Sequence, residues 1–365
     1  MEKVMTISGP VNADELGLTS MHEHLMCDTS PSLGPVIKLY GARIPRERLA
    51  LTMENLADLR GGISAFSGDC RTLDDLDYTV AELDYFKQMG GGCIVDASPL
   101  GMPHNLEGLK EASRLSGVKI VVCTGLYVRD AQPEEYRGMS ENELVETFKR
   151  DIREGIGGTD IRAGFLKCAV NTLNEQGQVD EYEMKAVRAC ARAAAETGYS
   201  IHIHNAYPLT REHIVPVAKL VLDVGVAPDK LLMLHMGAMV RTPRATQEYV
   251  NQFNAKKGVN IDLMLELLDL GVNIGFDCYG NLTPTLPGND DMNKALVELI
   301  RRGYADHITL GHDITDKARG VTYGYTGFTD FLKAVPPVLK ENGMEDAFAK
   351  LTVANPARIL AIPAY

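Results

Sequence analysis

Five residues of types that bind divalent metal ions lie near the ends of short apolar runs in this sequence. They are His22, His24, His204, His235 and Asp313. His22 and His24 are two positions apart, so a strand would direct both side chains to the same face. A single histidine in a strand usually has a packing role. Five such residues at the same end of these runs, in a chain with nine histidines, instead predict a metal site.

The apolar runs predict repeated β/α units. Eight runs suited to strands cover 18–25, 92–98, 119–125, 163–169, 200–206, 231–237, 272–280 and 307–313. Segments with helical periodicity, such as 180–197, lie between them. Eight such units favour an α/β fold of the (β/α)8 or TIM-barrel type. The carboxyl ends of its strands meet at one mouth, where the five candidate ligands would converge.

The connections between the runs argue for one domain. The chain contains no glycine-rich GxGxxG or GxxxxGK[ST] motif, which disfavours a doubly wound nucleotide-binding sheet. The stretches at about 26–91 and 238–260 are too long for simple connections. We therefore expect a single barrel domain over 1–365 with insertions at these two places.

Composition limits the partners of the protein. The 365 residues include 37 Lys and Arg against 49 Asp and Glu, a net charge of -12, which argues against nucleic acid or an anionic membrane as a partner. No apolar run reaches the roughly 20 residues of a membrane span, and the N-terminus does not resemble a signal peptide, so we expect a cytoplasmic protein. The seven cysteines are scattered and form no CxxC pair, which predicts reduced, buried thiols.

The candidate ligands indicate two metal ions. Imidazole and carboxylate groups without thiolates suit Zn²⁺, Mn²⁺, Fe²⁺ or Co²⁺, and zinc is favoured for hydrolysis. Four histidines and one aspartate exceed the three protein ligands usual for one catalytic zinc. Two neighbouring cations need an anionic bridge, and Lys167, which lies near the end of the fourth run, is a poor ligand by ordinary coordination rules. Residue types alone leave the bridge unassigned.

Several motifs, taken in order, resemble the phosphotriesterase family of the amidohydrolase superfamily. They are HEH at 22–24, RAGFLKCA at 162–169, HIHNA at 202–206, LHMG at 234–237, FDCYG at 276–280, GHD at 311–313 and VANPARIL at 353–360. The likeness covers nearly the whole chain. It implies a distorted (β/α)8 barrel with a binuclear metal centre at the C-terminal face of the strands, and a homodimer.

The resemblance also implies the missing bridge. In the family the lysine that matches Lys167 reacts with CO₂ to form a carbamate, which together with a hydroxide bridges the two ions. The more buried ion would take His22, His24, the Lys167 carbamate and Asp313, as the resemblance has it. The other ion would take the carbamate, His204 and His235, so that all six residues are implied ligands. Packing or supporting roles are expected for the remaining histidines: His202, His312, His104, His213 and His307.

The same resemblance implies a hydrolase in which Lys167 and Asp313 are catalytic. The metal-bridged hydroxide would attack the substrate, and Asp313 would accept its proton. Tyr127 matches a tyrosine that contacts substrate in the lactonases of the family, and Asp277 is expected to contact substrate or to support a ligand. Related acyl-homoserine lactonases carry an arginine after this aspartate, where this chain has Cys278, which disfavours that substrate.

Basic residues in two loops predict an anionic substrate. Lys317 and Arg319 follow the eighth run together with Tyr323 and Tyr325, and the second insertion adds Arg241 and Arg244. Cations gathered at the mouth of an acidic protein favour a small polar or anionic lactone, such as a sugar or sugar-phosphate lactone. Three alternatives remain open. They are hydrolysis at phosphorus by the same centre, hydrolysis or deamination of an amide-type substrate, and a non-catalytic binding barrel.

Overall fold

The chain forms a barrel of parallel strands in a computed structural model that describes residues 2–32, 44–241, 259–281 and 286–363. An antiparallel hairpin of β1 (Lys3–Thr6) and β2 (Gly9–Asn12) comes first. The barrel strands are β3 (Leu18–Glu23), β4 (Gly91–Asp96), β5 (Lys119–Val121), β6 (Cys123–Thr124), β7 (Phe165–Val170), β8 (Ile201–Asn205), β9 (Leu231–Met233), β10 (Asn273–Phe276) and β11 (Ile308–Leu310). Each of the eight predicted runs contains a strand.

Parallel pairing runs around the barrel in chain order. Strands β3, β4 and β5 form one ladder, and β6 to β11 form another. Strands β5 and β6 are two halves of the third barrel strand, separated by Val122, whose carbonyl accepts a hydrogen bond from Gly164 at 2.8 Å. The first and last barrel strands meet where the backbone N–H of Asp313 donates to the carbonyl of His22 at 3.0 Å. The predicted barrel is confirmed.

One long helix follows each of the eight barrel strands. The helices are α1 (Leu76–Gln88), α2 (Leu106–Ser116), α3 (Glu141–Arg153), α4 (Glu181–Thr197), α5 (Arg211–Asp223), α6 (Asp262–Asp269), α7 (Asn289–Arg301) and α8 (Asp330–Glu341). Shorter helices cover Arg46–Leu49, Leu56–Asp58, Gly68–Arg71, Glu134–Gly138, Ala347–Ala349 and Asn355–Leu360.

Local sequence sets the ends of these helices. The first turn of α3 is fixed by a capping box, in which Ser140 Oγ accepts from the N–H of Glu143 and the Glu143 carboxylate accepts from the N–H of Ser140. The Asp180 carboxylate accepts from the N–H of Tyr182 at the start of α4. Gly198 ends α4 in the left-handed conformation at φ +74°, which glycine adopts without steric cost.

The segment between β3 and α1 holds the region predicted as the first insertion. Its described residues form short α-helices at Arg46–Leu49, Leu56–Asp58 and Gly68–Arg71, and residues 76–88 of the predicted insertion form the helix α1. Most of the second predicted insertion, including Arg244, lies outside the described residues. Among the residues that are described, no helix is long and apolar enough to cross a membrane.

Candidate metal centre

The two histidines at the end of β3 are oriented in the same way, with Nδ1 of each ring held by a neighbouring side chain. His22 is fully buried and His24 is 3% exposed. Their Nδ1 atoms are held from behind, by Asp277 Oδ2 at 2.6 Å for His22 and by Ser98 Oγ at 2.8 Å for His24. Both Nε2 atoms are left to face the space above the strand, since the second ring nitrogen of a supported histidine is free to bind a metal.

The carboxylate of Asp313, which follows the last barrel strand β11, lies close to these two rings. Its Oδ1 lies 3.2 Å from His24 Nε2 and 3.6 Å from His22 Nε2. The residue has a φ of +52°, an unusual conformation for a non-glycine residue, and His235 shares it at φ +61°. Strained backbone of this kind concentrates at functional sites. Burial alone would raise the pKa of Asp313, but the surrounding histidines hold it well below its usual range.

Lys167 ends inside the same cluster. Its side chain is fully buried, and its Nζ lies 3.1 Å from His22 Nε2. Burial lowers the pKa of this amine, which favours the neutral form. Gly125 on the neighbouring strand allows the close approach of the backbone there, because a Cβ at its φ of +127° would collide with the carbonyl oxygen of Lys167. The lysine is therefore held in a desolvated site beside the histidines.

The other two histidines form a second half of the cluster. His204 Nδ1 and His235 Nε2 face each other at 2.8 Å, and the Tyr127 hydroxyl lies 3.5 Å from the same His204 nitrogen. Burial lowers the pKa of His204 well below its ordinary value. Burial also opposes a charge on His235, but the carboxylates of Asp277 and Asp313 outweigh it and raise the pKa. The structure thus brings all six predicted ligands together.

The donor set of this cluster fits divalent metal ions. One donor atom each from His22, His235 and Asp313 lies within 4.8 Å of the others. Lone pairs of neutral imidazoles that face one another, or face a carboxylate, repel unless a proton or a cation lies between them. Nitrogen and oxygen ligands converging in a buried site are typical of zinc and of neighbouring transition metals. Four histidines, one aspartate and a modifiable lysine are sufficient for two ions.

Asp277 supports the histidines. It is 1% exposed, and besides its bond to His22 it accepts from the backbone N–H of His235 at 2.9 Å. Burial alone would raise the pKa of Asp277, but His235 and His22 together hold this pKa well below the usual range. Of the two roles expected from the sequence, these contacts match support of a ligand.

Glu23 was missed by the sequence analysis and joins the first barrel strand to the last. This fully buried residue lies between His22 and His24. Its carboxylate accepts from His312 Nδ1 at 2.6 Å, from the backbone N–H groups of His312 and Ile314 at 3.0 and 3.3 Å, and from Ser20 Oγ at 2.6 Å. The acidic residue inside the HEH motif was the available signal. Glu23 therefore fixes the backbone on both sides of Asp313.

The predicted basic contacts have protein partners. Lys317 lies 3.8 Å from Asp75, and Arg241 bonds the Leu286 carbonyl and lies 3.5 Å from Asp291. Arg319 donates to the carbonyls of Asp313, Tyr279 and His312, at 3.1, 3.1 and 3.3 Å. Arg319 thus braces the backbone that carries Asp313. Tyr325 donates to the Gly280 carbonyl, and Tyr323 packs near Tyr78 with ring centroids 6.3 Å apart.

The remaining histidines lie apart from the six ligands or below them. His202 is buried under the cluster, stacked on Phe165 with ring centroids 4.3 Å apart, and its Nε2 lies 3.2 Å from Ser200 Oγ. His312 stacks on Phe331 at 4.6 Å. His104 bonds the Met102 carbonyl and His213 belongs to the cap of α5, while His307 is partly buried beside β11.

A barrel of this kind with imidazole, carboxylate and lysine groups at the carboxyl ends of its strands defines a class of metal-site hydrolases. The sequence profile of the phosphotriesterase family matches residues 2–360. This chain therefore belongs to the phosphotriesterase family, and the resemblance stated from the motifs is confirmed. The family and its relatives named N-acetyltaurine hydrolase are hydrolases, as the sequence predicts for this chain.

Three known proteins show how close the similarity is. An N-acetyltaurine hydrolase of Salmo salar is 28% identical over 98% of this chain and 97% of its own length. A solved resiniferatoxin-binding protein of Rhodobacter sphaeroides has a TM-score of 0.81 at 26% identity, and the alignment covers 100% of this chain and 97% of that one. A lactonase of Listeria monocytogenes shares the fold, with a TM-score of 0.75 at 20% identity, over 99% of this chain and all of its own.

Proposed function

We propose that this protein is a metal-dependent hydrolase that attacks the carbonyl carbon of a small polar or anionic acyl compound, with a sugar or sugar-phosphate lactone as the first substrate class. The observation that carries the proposal is the convergence of His22 Nε2, His24 Nε2, Asp313 Oδ1 and Lys167 Nζ beside the pair His204 and His235. When bound, two divalent cations would supply an acidified water as nucleophile and polarise the carbonyl.

Lys167 is suited to provide the anionic bridge that two cations need. Burial lowers the pKa of its amine, and the neutral amine can attack CO₂, so that an N–C bond forms, one proton leaves the nitrogen and a carbamate carboxylate results. The proton can pass to a neighbouring carboxylate or to water. Full burial of the lysine and its 3.1 Å distance from His22 Nε2 place the resulting carboxylate among the histidines.

Two further side chains have roles in the proposed reaction. Asp313 accepts the proton that the attacking water loses and passes it to the leaving group. Its lowered pKa suits a brief proton relay better than the role of a strong base. Burial raises the pKa of Tyr127, so its hydroxyl remains protonated and can donate a hydrogen bond to the substrate. That hydroxyl lies 3.5 Å from His204 Nδ1, beside the pair His204 and His235.

A second candidate substrate class is an N-acyl amide that carries an anionic group. It is favoured by the N-acetyltaurine hydrolases, whose sequences align with 98% of this chain at 25 to 28% identity. A lactone and such an amide share an electrophilic carbonyl, so the same arrangement of Asp313 and Tyr127 would serve both. They differ in the leaving group, which is an alcohol or an amine that takes the proton held by Asp313.

A substrate panel separates these candidates. The protein, loaded with zinc or manganese, is assayed by a pH indicator with gluconolactone, gluconolactone 6-phosphate and an aryl phosphate triester. Hydrolysis of N-acetyltaurine, which releases no net proton near neutral pH, is followed by detection of the free amine. We expect hydrolysis of a carbonyl substrate that is lost in Asp313→Asn. Hydrolysis of the phosphate triester much faster than of all carbonyl substrates would instead support the reaction at phosphorus. Failure to hydrolyse any member would support the non-catalytic barrel.

A further inference from the structure

A second group of ligand atoms lies around the Nδ1 nitrogen of His235. This nitrogen is 3.2 Å from Asp277 Oδ1 and 3.8 Å from Cys278 Sγ. The same Sγ is 4.0 Å from Asp277 Oδ1, so the three atoms form a compact triangle, and all three residues are buried. The other ring nitrogen of His235, Nε2, faces His204. The triangle therefore uses the ring nitrogen that the proposed metal centre does not.

The spacing of the three atoms fits one tetrahedral cation. A zinc-type ion binds nitrogen and oxygen at about 2.0–2.2 Å and sulfur at about 2.3 Å. Two of its ligand atoms are then about 3.3–3.8 Å apart, which is close to the three distances in the triangle. A larger ion with the same ligand preference, such as Cd²⁺, requires slightly longer distances.

The atoms of the triangle are able to accept a cation. Asp277 Oδ1 accepts the backbone N–H of His235 at 2.9 Å, and a carboxylate oxygen has a second lone pair. A thiol and a ring N–H release their protons to water when a metal ion binds. Asp313 Oδ2 lies 4.0 Å from His235 Nδ1 and adds negative charge beside the same point. A cation would thus be both coordinated and electrostatically favoured there.

The thiol decides which cations the triangle prefers. The six proposed ligands of the metal centre contain no sulfur, whereas thiolate ligands select soft cations. All seven cysteines lie in the described part of the chain, and there only Cys278 belongs to a group of three or more ligand-type residues. The triangle therefore differs from the proposed centre in the class of metal that it would take.

We propose that His235 Nδ1, Asp277 Oδ1 and Cys278 Sγ form an inhibitory site for a soft divalent cation such as Cd²⁺. Binding depends on these three atoms alone, whereas inhibition rests on the proposed function. The cation would bind the imidazole of a proposed ligand and the carboxylate that holds His22 Nδ1 at 2.6 Å. Occupation of the triangle would therefore disturb both halves of the proposed centre.

Ultraviolet absorbance tests the binding without turnover. Bonds between Cd²⁺ and a thiolate give a charge-transfer band that bonds to imidazole or carboxylate do not give. The metal-free protein is titrated with Cd²⁺ as wild type, Cys278→Ser and Cys278→Ala, with folding checked by circular dichroism. We expect a saturable band in wild type and none in either variant. No band in wild type, or an equal band in a folded variant, would overturn the proposal.

Cys70→Ser is the matched control for this titration. Cys70 is also buried, but it packs with apolar side chains such as Leu56 and Leu59. Its loss should leave the band as strong as in wild type. A band that depended on Cys70 and not on Cys278 would place the bound ion elsewhere and contradict the site.

Inhibition of the zinc-loaded protein tests the consequence of binding. Hydrolysis is measured with increasing Cd²⁺, relative to the rate of each variant without Cd²⁺. We expect Cys278→Ser to require about tenfold or more Cd²⁺ for half inhibition, since loss of a supporting group alone costs about that much metal affinity. Equal sensitivity in Cys278→Ser and wild type would overturn the inhibitory role. If no substrate is hydrolysed, the proposed function fails, and the absorbance titration still decides whether the site exists.

Discussion

Three of the ligand-type residues in the cluster have specific partners outside it that fix their position. Asp277 holds His22, Ser98 holds His24, and Arg319 braces the carbonyl of Asp313. Partners of this kind set which ring nitrogen faces a metal and are known to affect metal affinity strongly. His235 and Asp313 both adopt a positive φ, and this backbone strain is the destabilising contribution that accompanies the arrangement.

Asp313→Asn separates the proton acceptor from the shape of the site. Asparagine tolerates the left-handed backbone at this position and keeps the size of the side chain, but it does not accept a proton near neutral pH. We expect kcat to fall by about 10²- to 10⁴-fold with excess metal present, the range for loss of a proton-transfer group. Asp306→Asn, which removes an exposed partner of Lys350, should keep wild-type activity. Wild-type turnover in Asp313→Asn would contradict the assigned role.

The six candidate ligands and a supporting role for Asp277 could be predicted from the sequence and its family resemblance, whereas the role of Glu23 could not. His22, His204 and His235 stand out because polar side chains are rare in buried strands. Glu23 looks like a solvent-facing acid inside a motif, and its buried contacts to His312 depend on the closure of the barrel.

At the scale of elements, the site depends on how closely particular strands approach. The third barrel strand is broken at Val122, and the chain then passes the backbone of Lys167 at Gly125. The apolar runs predict the third and fourth barrel strands, but they do not predict the break at Val122. Residues 119–125 have an unbroken apolar pattern, and the interruption arises where Gly164 bonds the Val122 carbonyl.

Gly125→Ala tests this approach. A Cβ at this position would collide with the carbonyl oxygen of Lys167, so the strand that carries Lys167 must shift. Gly62→Ala is the matched control, because Gly62 has a similar φ of +123° and nothing within 4 Å of its would-be Cβ. Both variants bear backbone strain of about 1–3 kcal/mol. We expect only Gly125→Ala to lose metal as well, as measured by metal content after dialysis, and equal metal retention would contradict the argument.

Glu23→Gln tests the link between β3 and the residues after β11. The amide keeps one acceptor oxygen but cannot accept from all four donors that surround the carboxylate. Glu183→Gln is a control of similar chemistry, since this buried glutamate accepts from the backbone N–H groups of Arg129, Asn171 and Thr172.

Both glutamate variants should cost about 1–3 kcal/mol of unfolding free energy, measured by denaturant titration. Only Glu23→Gln should also weaken metal binding, because its partners adjoin Asp313, His22 and His24. Metal affinity is measured by competition with a chelator. An unchanged affinity in Glu23→Gln would show that the glutamate stabilises the fold without positioning the ligands.

On the scale of the whole molecule, the barrel buries several neutral histidines. Burial lowers the pKa of His22 to about 3, and it lowers the pKa of His202 and of His204 well below the ordinary value. In the unfolded chain these residues bind protons near pH 6.5. The unfolded state therefore binds more protons below that pH. The stability of the metal-free protein is greatest above about pH 6.5 and falls as the pH decreases toward about 3.

The pH dependence of thermal unfolding checks this expectation. Because the pKa of Asp313 is lowered in the folded protein, this residue also makes the protein less stable as the solution becomes more acidic. The pKa of His235 is raised, so this residue has the opposite effect on stability. Burial also raises the pKa of Glu82, Asp96, Asp151 and Glu183, and these carboxyls oppose the histidines in more acidic solution. Because the histidines of the unfolded chain bind protons at a higher pH than its carboxyls do, Tm of the metal-free protein should fall between about pH 7 and 5. His202→Leu removes one buried imidazole that is not a proposed ligand and should flatten the slope. A Tm that is constant or rises from about pH 7 to 5 would contradict the account.

Metal content per chain is the measurement that tests the central claim most directly. Plasma mass spectrometry is applied to wild type and Lys167→Ala after loading with zinc in the presence of bicarbonate, with the lactone and N-acyl amide assays run on the same samples. The account predicts about two ions per wild-type chain, and fewer in Lys167→Ala together with loss of hydrolysis. One ion or none in wild type, or hydrolysis that does not depend on Lys167, would contradict a metal centre bridged by this residue.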